Sequence, residues 1–253
     1  VLDICSGAGG STVIPILLEC PTCFVFASDL SQAMLRELCK RAKENDVHNR
    51  VDALVCDAQK NIWRNDFADL FVGGAALHHL ADVNVALASC LKTLKPGGIA
   101  VFLEPMESGH HLLAEGIKKM LALPSLSNIK YKTTKSFLNN LVRDIDVRSQ
   151  QIDPSESFSW YDLDDKWLFK RSHLEAVAAA QRCTVTIESM HSSIKPLSKH
   201  LKVALEAYAG LSFPECCPSD ALEIFDDFES QFSEADHSDN PLEAVIVFQK
   251  RRS

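Results

Sequence analysis

Five short apolar segments alternate with helix-like segments over the first hundred residues, and this alternation most constrains the fold. The hydrophobicity of each apolar segment is nearly continuous, which is typical of parallel strands covered on both faces. Strict alternation of strand and helix predicts a doubly wound, Rossmann-like α/β sheet with right-handed crossovers. The predicted strands are Val1–Ile4, Phe24–Ser28, Val51–Cys56, Ala68–Gly73 and Ile99–Glu104.

Helices are predicted between these strands, and the alternation of strand and helix ends after Pro105. From there, a helix is expected over Gly109–Leu123 and irregular polar structure over residues 124–171. Residues 219–243 are strongly acidic and predict a helix followed by a loop. The other predicted elements are helices at Ser11–Glu19, Gln32–Asn45, Val83–Leu94, Ser172–Arg182 and Lys199–Tyr208, and strands at Cys183–Met190 and Ala244–Lys250.

Charge and composition exclude several functional classes. The chain of 253 residues has a formal net charge of −8 and no long basic stripe, so nucleic acid is not the expected partner. Its apolar segments are too short to span a bilayer, and an export signal is not seen. A sequence that begins inside a strand without Met is expected to lack its natural start. A cytoplasmic protein whose partner is a small molecule is therefore expected.

The nine cysteines predict free thiols rather than a disulfide framework. Their number is odd, and some stand inside strand-like segments. A zinc site is weighed for Cys20-Pro-Thr-Cys23, but the other close pair, Cys216-Cys217, lacks the usual two-residue gap. No metal site is expected.

A turn rich in small residues follows the first strand and opens the first helix. In Asp3-Ile4-Cys5-Ser6-Gly7-Ala8-Gly9-Gly10-Ser11, small residues allow a ligand to approach the backbone closely. Gly7 and Gly9 fit the dinucleotide fingerprint, but Thr12 stands at its third glycine, which disfavours NAD. A phosphate loop is also excluded, because no Gly-Lys-Ser/Thr follows.

Two aspartates follow the next two predicted strands. Asp29 ends the second strand, where a carboxylate can accept hydrogen bonds from both hydroxyls of a ribose. Asp57 ends the third strand, where it can accept from an adenine amine while the N–H of Ala58 donates to a ring nitrogen. Each aspartate alone is equally typical of a turn or a helix cap. Together with the first turn, they predict an adenosine pocket at one edge of the sheet.

These residues resemble the class I S-adenosylmethionine (SAM)-dependent methyltransferases, especially those acting on small molecules. The resemblance covers residues 1–105, and the family's sheet has seven strands with the last antiparallel. The segments that carry the resemblance are Val1-Leu2-Asp3-Ile4-x-x-Gly7-x-Gly9, Ser28-Asp29-Leu30-Ser31, Cys56-Asp57-Ala58, Ala76-Leu77-His78-His79-Leu80 and Leu94-Lys95-Pro96-Gly97-Gly98.

The resemblance implies SAM as the cofactor and assigns a role to each matching residue. Asp3 and the turn at Cys5, Ser6, Gly7 and Gly9 would hold its methionine part. Asp29 would bind the ribose, Leu30 would pack on the adenine, and Asp57 with Ala58 would contact the adenine edge. Gly73 and Gly74 would line the cavity near the sulfonium. The sequence departs from the family at Cys5, where a glycine is usual.

Candidate proton acceptors follow the fourth and fifth strands, where the methyl acceptor is expected. His79 and Glu104 are the preferred catalytic residues, and His78, His110 and His111 are further candidates. Each has a structural alternative, because a histidine can cap a turn and Glu104 can orient a cofactor amine.

Three segments are expected. Residues 1–105 form the SAM-binding half of the core, 106–175 an inserted helical substrate cap, and 176–253 the rest of the core with the final strands. An aromatic group, Trp160, Tyr161, Trp167 and Phe169, is a candidate acceptor wall or subdomain core. The predicted reaction is O-, N- or C-methylation of a small molecule. The alternatives are a non-catalytic SAM- or nucleotide-binding domain and, less favoured, an NAD(P)-dependent oxidoreductase.

Overall fold

A seven-stranded sheet forms the centre of the fold in the computed structural model, which describes residues 1–60, 62–149, 163–190 and 195–252. The strand order is β3-β2-β1-β4-β5-β7-β6. The pairs β1–β2, β1–β4, β2–β3 and β4–β5 are parallel. The strands are β1 (Leu2–Ile4), β2 (Val25–Asp29), β3 (Val51–Val55), β4 (Ala68–Gly74), β5 (Leu94–Pro105), β6 (Cys183–Ser189) and β7 (Glu243–Lys250).

The last strand runs antiparallel to both of its neighbours. At its end, Lys250 Nζ donates to the carbonyl of Leu94 at the start of β5, and just before its start Leu242 accepts from Met106 beyond the end of β5. Its partner β6 shows the same reversal, because Arg251 bonds to Arg182 and Met190 to Glu243. The predicted mostly parallel, seven-stranded, Rossmann-like sheet is confirmed.

Three helices fill the connections between the first five strands, as predicted. They are α1 (Val13–Glu19), α2 (Gln32–Glu44) and α3 (Val83–Thr93). In α2, the Ser31 hydroxyl accepts from the N–H of Met34 and so caps the helix. The buried Leu35, Leu38 and Ala42 recur at helical spacing and form a core with Val25 and Ala27 of β2.

The region after β5 is more helical than the sequence predicts. An 18-residue helix, α5, occupies part of the segment 124–171 that was expected to be irregular, and its buried positions include Leu138 and Ile145. The acidic segment carries two helices instead of one helix and a loop. The helices are α4 (Glu107–Leu121), α5 (Lys132–Ser149), α6 (Arg171–Ala180), α7 (Pro196–Val203, continued by a π-helical turn to Tyr208), α8 (Ser219–Glu229) and α9 (Glu234–Asp239).

The sequence predicts that residues Lys95 to Gly98 lie outside the sheet. In the structure they lie within β5. The register against β4 shifts there, because Ala68 pairs with Leu94 and Leu70 with Ile99. This irregularity accommodates extra residues on one strand, and Gly97 has a φ of +81°.

Cys20 and Cys23 form a disulfide, which corrects the expectation of free thiols at these two positions. Their separation of three residues places both at the end of α1, close enough to pair. The other seven cysteines are free, as predicted. Among the described residues, no helix is long and apolar enough to cross a membrane.

Two compact units make up the chain. The first comprises residues 1–104, 171–187 and 245–253, and the second residues 105–170 and 188–244. The second has its own core, in which the absence of a side chain at Gly116 admits the rings of Phe225 and Phe228 from α8. Other buried members of this core include Leu113, Ile117, Leu138, Leu168, Leu201 and Leu242.

Candidate functional site

The turn after β1 brings three left-handed residues together at the carboxyl edge of the sheet. Cys5, Gly7 and Gly9 have φ values of +50°, +52° and +72°. A Cβ on Gly9 would overlap Leu38 Cδ1, so only glycine lets this turn approach α2. Space around Gly7 is open, since a Cβ there would meet nothing within 4 Å. Cys5 adopts this strained conformation at a cost of about 1–2 kcal/mol. Glycine, which is usual at this position in the family, would avoid that cost.

Asp3 is a buried carboxylate beneath this turn, with only 1% of its surface exposed. Its Oδ2 accepts a hydrogen bond from the Thr12 hydroxyl, while Oδ1 has no partner among the described residues. Burial raises the pKa of Asp3 to about 7, and the nearby Asp29 carboxylate contributes to that increase. An unpartnered buried acceptor of this kind suits a cationic hydrogen-bond donor on a ligand.

Asp29, at the end of β2, holds the turn from the other side. Its Oδ2 accepts from the N–H of Gly7 at 2.8 Å, and its Oδ1 accepts from the N–H of Ser31 at 2.7 Å. Each carboxylate oxygen has a second lone pair, so these bonds orient the group and leave it able to accept from a ligand. The next residue, Leu30, exposes 74% of its surface.

Asp57 follows β3 and is oriented by its own turn. Its Oδ1 accepts from the N–H of Gln59 at 3.0 Å. The Gln59 side chain in turn accepts from the N–H of Asp82 at 2.6 Å, which ties the turn to the start of α3. Ala58 lies between them and is partly buried.

The thiol of Cys5 marks the point on which these groups converge. Burial is the main cause that raises its pKa to about 12, and the carboxylates of Asp29, Asp3, Glu104 and Asp57 contribute to that increase, in that order. All of the charged groups that shift this pKa are therefore anionic. The structure thus brings together acidic residues from the ends of four strands of the sheet, and the local charge favours a cationic ligand.

Gly73 and Gly74 end β4 beside the same turn. A Cβ on Gly74 would lie 3.2 Å from Thr12 Cγ2, and one on Gly73 would lie 2.9 Å from the Phe102 ring. Gly74 thus allows β4 to pack closely against the start of α1, and Gly73 admits the Phe102 ring from β5.

Both carboxylate oxygens of Glu104 contact polar groups of the turn that follows β4. Its Oε1 accepts from the N–H groups of Ala76 and Leu77 at 3.0 and 2.7 Å. Its Oε2 lies 3.2 Å from the backbone nitrogen of His78 and 2.6 Å from that residue's Nδ1. The exposed His79 is next in the chain, and its ring centroid lies 4.1 Å from that of His78.

The remaining candidates lie in the second unit and have local contacts there. His110 Nδ1 lies 2.9 Å from the carbonyl oxygen of Met106, and His111 lies 4.0 Å from Glu107. Phe169 forms a bridge to Met106. The carbonyl of Trp167 accepts from Arg148, while Trp160 and Tyr161 lie outside the described residues.

Three contributors were not anticipated from the sequence. Thr12 supplies the hydroxyl that binds Asp3, and the Ser28 hydroxyl donates to the backbone carbonyl of Asp3 at 3.1 Å. Gln59 orients Asp57. A hydroxyl at the start of α1 is the one sequence signal that points to Thr12, because such residues are common helix caps.

Comparison with known proteins matches residues 1–98 to the methyltransferase domain family. A ubiquinone/menaquinone biosynthesis C-methyltransferase from Ectopseudomonas mendocina is 31% identical over 115 residues, which is 46% of this chain and 45% of that protein. The corresponding protein of Burkholderia vietnamiensis is 32% identical over 104 residues, or 41% and 42% of the two chains. This chain thus spans less than half of the length of these relatives.

Solved structures of methyltransferases share the fold over nearly the whole chain. The geranyl diphosphate C-methyltransferase of Streptomyces coelicolor A3(2), solved with Mg²⁺, geranyl diphosphate and S-adenosyl-L-homocysteine, has a TM-score of 0.56 at 14% identity. The alignment covers 99% of this chain and 70% of that one. Residues 1–98 of this chain thus match a methyltransferase domain, as the resemblance to the class I SAM-dependent methyltransferases predicts, and the solved structure shares the fold.

Proposed function

We propose that this protein binds SAM and transfers its methyl group to a small molecule. The observation that carries the proposal is the convergence of Asp3, Asp29, Asp57 and Glu104 around Cys5. An anionic site favours SAM, which carries a sulfonium and an ammonium group, over NAD(P), whose pyrophosphate is negative. The match of residues 1–98 to a methyltransferase domain and the similarity to methyltransferase relatives support the proposal.

The described residues fit SAM at each part of the molecule. The unpartnered Oδ1 of Asp3 is suited to the ammonium group, and the open space at Gly7 admits the methionine chain. Cys5, Ser6 and Gly9 shape that turn, with Gly73 and Gly74 beside it. Asp29 would accept from the ribose hydroxyls, Leu30 would cover the adenine ring, and Asp57 with Ala58 would bind its edge.

SAM supplies an electrophilic methyl group, so the protein's main task is to align the acceptor with it. An acceptor that loses a proton also needs a base. We retain His79 as the candidate base, because it is exposed and adjoins the turn that Glu104 holds.

The acceptor is proposed to be a small molecule in the cytoplasm. A net charge of −8 opposes nucleic acid. The relatives' names point to a reduced quinone as the first acceptor to test. Their similarity covers less than half of this chain, and residues 106–175, the proposed substrate cap, lie outside the family match.

Asp29→Asn tests the site assignment. The variant keeps the side-chain size but removes the charge, so calorimetry is expected to show a loss of affinity for S-adenosylhomocysteine of about 10- to 100-fold. Asp52→Asn, an exposed position on the neighbouring strand β3, is the matched control and should bind as the wild type does. Equal affinity of the Asp29 variant and the wild type would refute the assignment.

Methyl transfer itself separates an enzyme from a binding domain. Incubation of the chain with methyl-tritiated SAM and an extract of cell metabolites should label a small molecule. Binding of S-adenosylhomocysteine without any labelled product would favour the non-catalytic alternative.

A further inference from the structure

The carboxylate of Glu104 has a complete set of partners, and all of them come from one turn. Three backbone N–H groups and the Nδ1 of His78 surround its two oxygens. The residue is only 2% exposed. A group that took a proton from an acceptor would lose its negative charge and weaken these charge-assisted bonds. The arrangement therefore fits a group that holds structure better than one that exchanges protons.

The turn is also strained where it leaves β4. Ala75 has a φ of +54°, in the left-handed region, and its N–H donates to the Leu103 carbonyl at 3.0 Å. A non-glycine residue keeps such a conformation only when surrounding contacts over-determine it. The bonds to Glu104 on the next residues supply those contacts.

The two imidazoles of the turn are linked by a ring contact, and the first of them is bonded to Glu104. His78 is 7% exposed, and its Nδ1 lies 2.6 Å from Glu104 Oε2, a distance typical of a charge-assisted hydrogen bond. The ring of His79 packs at a tilt against it, with the centroids 4.1 Å apart. Fixing the first ring therefore restricts the second.

We propose that Glu104 and His78 form one positioning unit, which fixes the turn after β4 and places His79 for the acceptor. This inference rests on the proposed methyltransferase activity and changes the role of Glu104 from base to anchor. His78 acts through its hydrogen bond to the carboxylate. His78 lies in the turn after β4 and Glu104 lies on the adjacent strand β5, at the same sheet edge as the cofactor site.

Variants at the two positions test the unit, assayed with reduced 1,4-naphthoquinone and tritiated SAM. Glu104→Gln and His78→Ala should each lower kcat by about 100-fold, the cost of a misplacement of about 1 Å, with little change in the KM for SAM. The double variant should be no slower than either single variant, because both remove one interaction. The amide of His78→Asn can donate to Glu104 in place of Nδ1, but this variant lacks the ring that packs on His79, so its kcat should lie between those of His78→Ala and the wild type.

Several results would overturn the proposal that Glu104 and His78 act as one positioning unit. Additive losses would show that the two residues act separately. A kcat of His78→Asn as low as that of His78→Ala would show that the hydrogen bond to Glu104 does not contribute to positioning, and a parallel loss of S-adenosylhomocysteine affinity would assign the pair to cofactor binding. Glu229→Gln is the control for loss of a buried carboxylate, because Glu229 anchors the N–H groups of Leu197 and Ser198 elsewhere, and its kcat should match the wild type.

Proton NMR provides a test that does not depend on turnover. The wild type should show a low-field Nδ1 proton signal from His78, and Glu104→Gln should remove it and shift the ring resonances of His79. Unchanged His79 resonances would contradict the positioning unit even if naphthoquinol is not methylated. A wild type that fails to bind S-adenosylhomocysteine would instead refute the proposed function.

Discussion

At the scale of single residues, the site is defined by one incompletely bonded carboxylate and one strained cysteine. Asp3 was predicted from its place in the motif, but its unpartnered Oδ1 and the Thr12 hydroxyl depend on the folded turn. Cys5 was recognised as a departure from the family. Its φ of +50° explains why glycine is usual there, which the sequence alone does not reveal.

Asp3→Asn should change how stability depends on pH. The pKa of Asp3 is raised from 3.8 to about 7 in the folded chain, so the folded state binds more protons than the unfolded state between these values. The stabilising effect of protonated Asp3 is therefore lost as the pH rises from about 4 to 7, by up to about 4 kcal/mol. Urea unfolding at pH 5 and pH 8 should show this loss in the wild type and a smaller one in the variant. Identical pH dependence would contradict the raised pKa.

Cys5→Gly should raise the free energy of unfolding by up to about 1 kcal/mol, because relief of the left-handed strain exceeds the added entropy of the unfolded glycine. Cys5→Ala keeps the Cβ and removes only the thiol, so it should show no comparable gain. Thermal unfolding of the two variants side by side measures the difference. A gain in both would attribute the effect to the thiol instead of the backbone.

At the scale of elements, the strands β1 to β4 were predicted to within about two residues because continuous apolar segments are strong signals. The long helix α5 was missed. Its sequence, Lys132–Ser149, is polar at most positions. Its few buried residues can be recognised as core positions only from their packing in the core of the second unit. The start of β5 was also missed, because Pro96 and the glycines after it predict a turn, whereas the structure accommodates them as a register shift.

The close approach of the glycine turn to α2 leads to a prediction at this scale. Gly9→Ala should lower the free energy of unfolding by roughly 2–4 kcal/mol, because its new Cβ would combine a left-handed φ with an overlap with the buried Leu38. Gly7→Ala has a similar φ but open space, so it should cost only about 1–2 kcal/mol. Urea unfolding compares the pair, and equal losses would contradict the packing argument.

At the scale of the whole molecule, the predictable part is the part that the family shares. The matched residues 1–98 contain the turn, Asp29 and Asp57, each placed by a strand end. The second unit lies outside the matched residues, so the identity of the acceptor is not carried by the match. The disulfide between Cys20 and Cys23 was unpredicted because composition describes an average over nine cysteines, whereas pairing depends on local geometry.

The central claim is that the acidic edge of the sheet is a SAM site. Calorimetric titration of the chain with S-adenosylhomocysteine, alongside NADH, tests it most directly. We expect micromolar binding of S-adenosylhomocysteine (about 8 kcal/mol of binding free energy) and no detectable binding of NADH. Preferential binding of NADH, or binding of neither ligand, would refute the assignment of this edge as a SAM site.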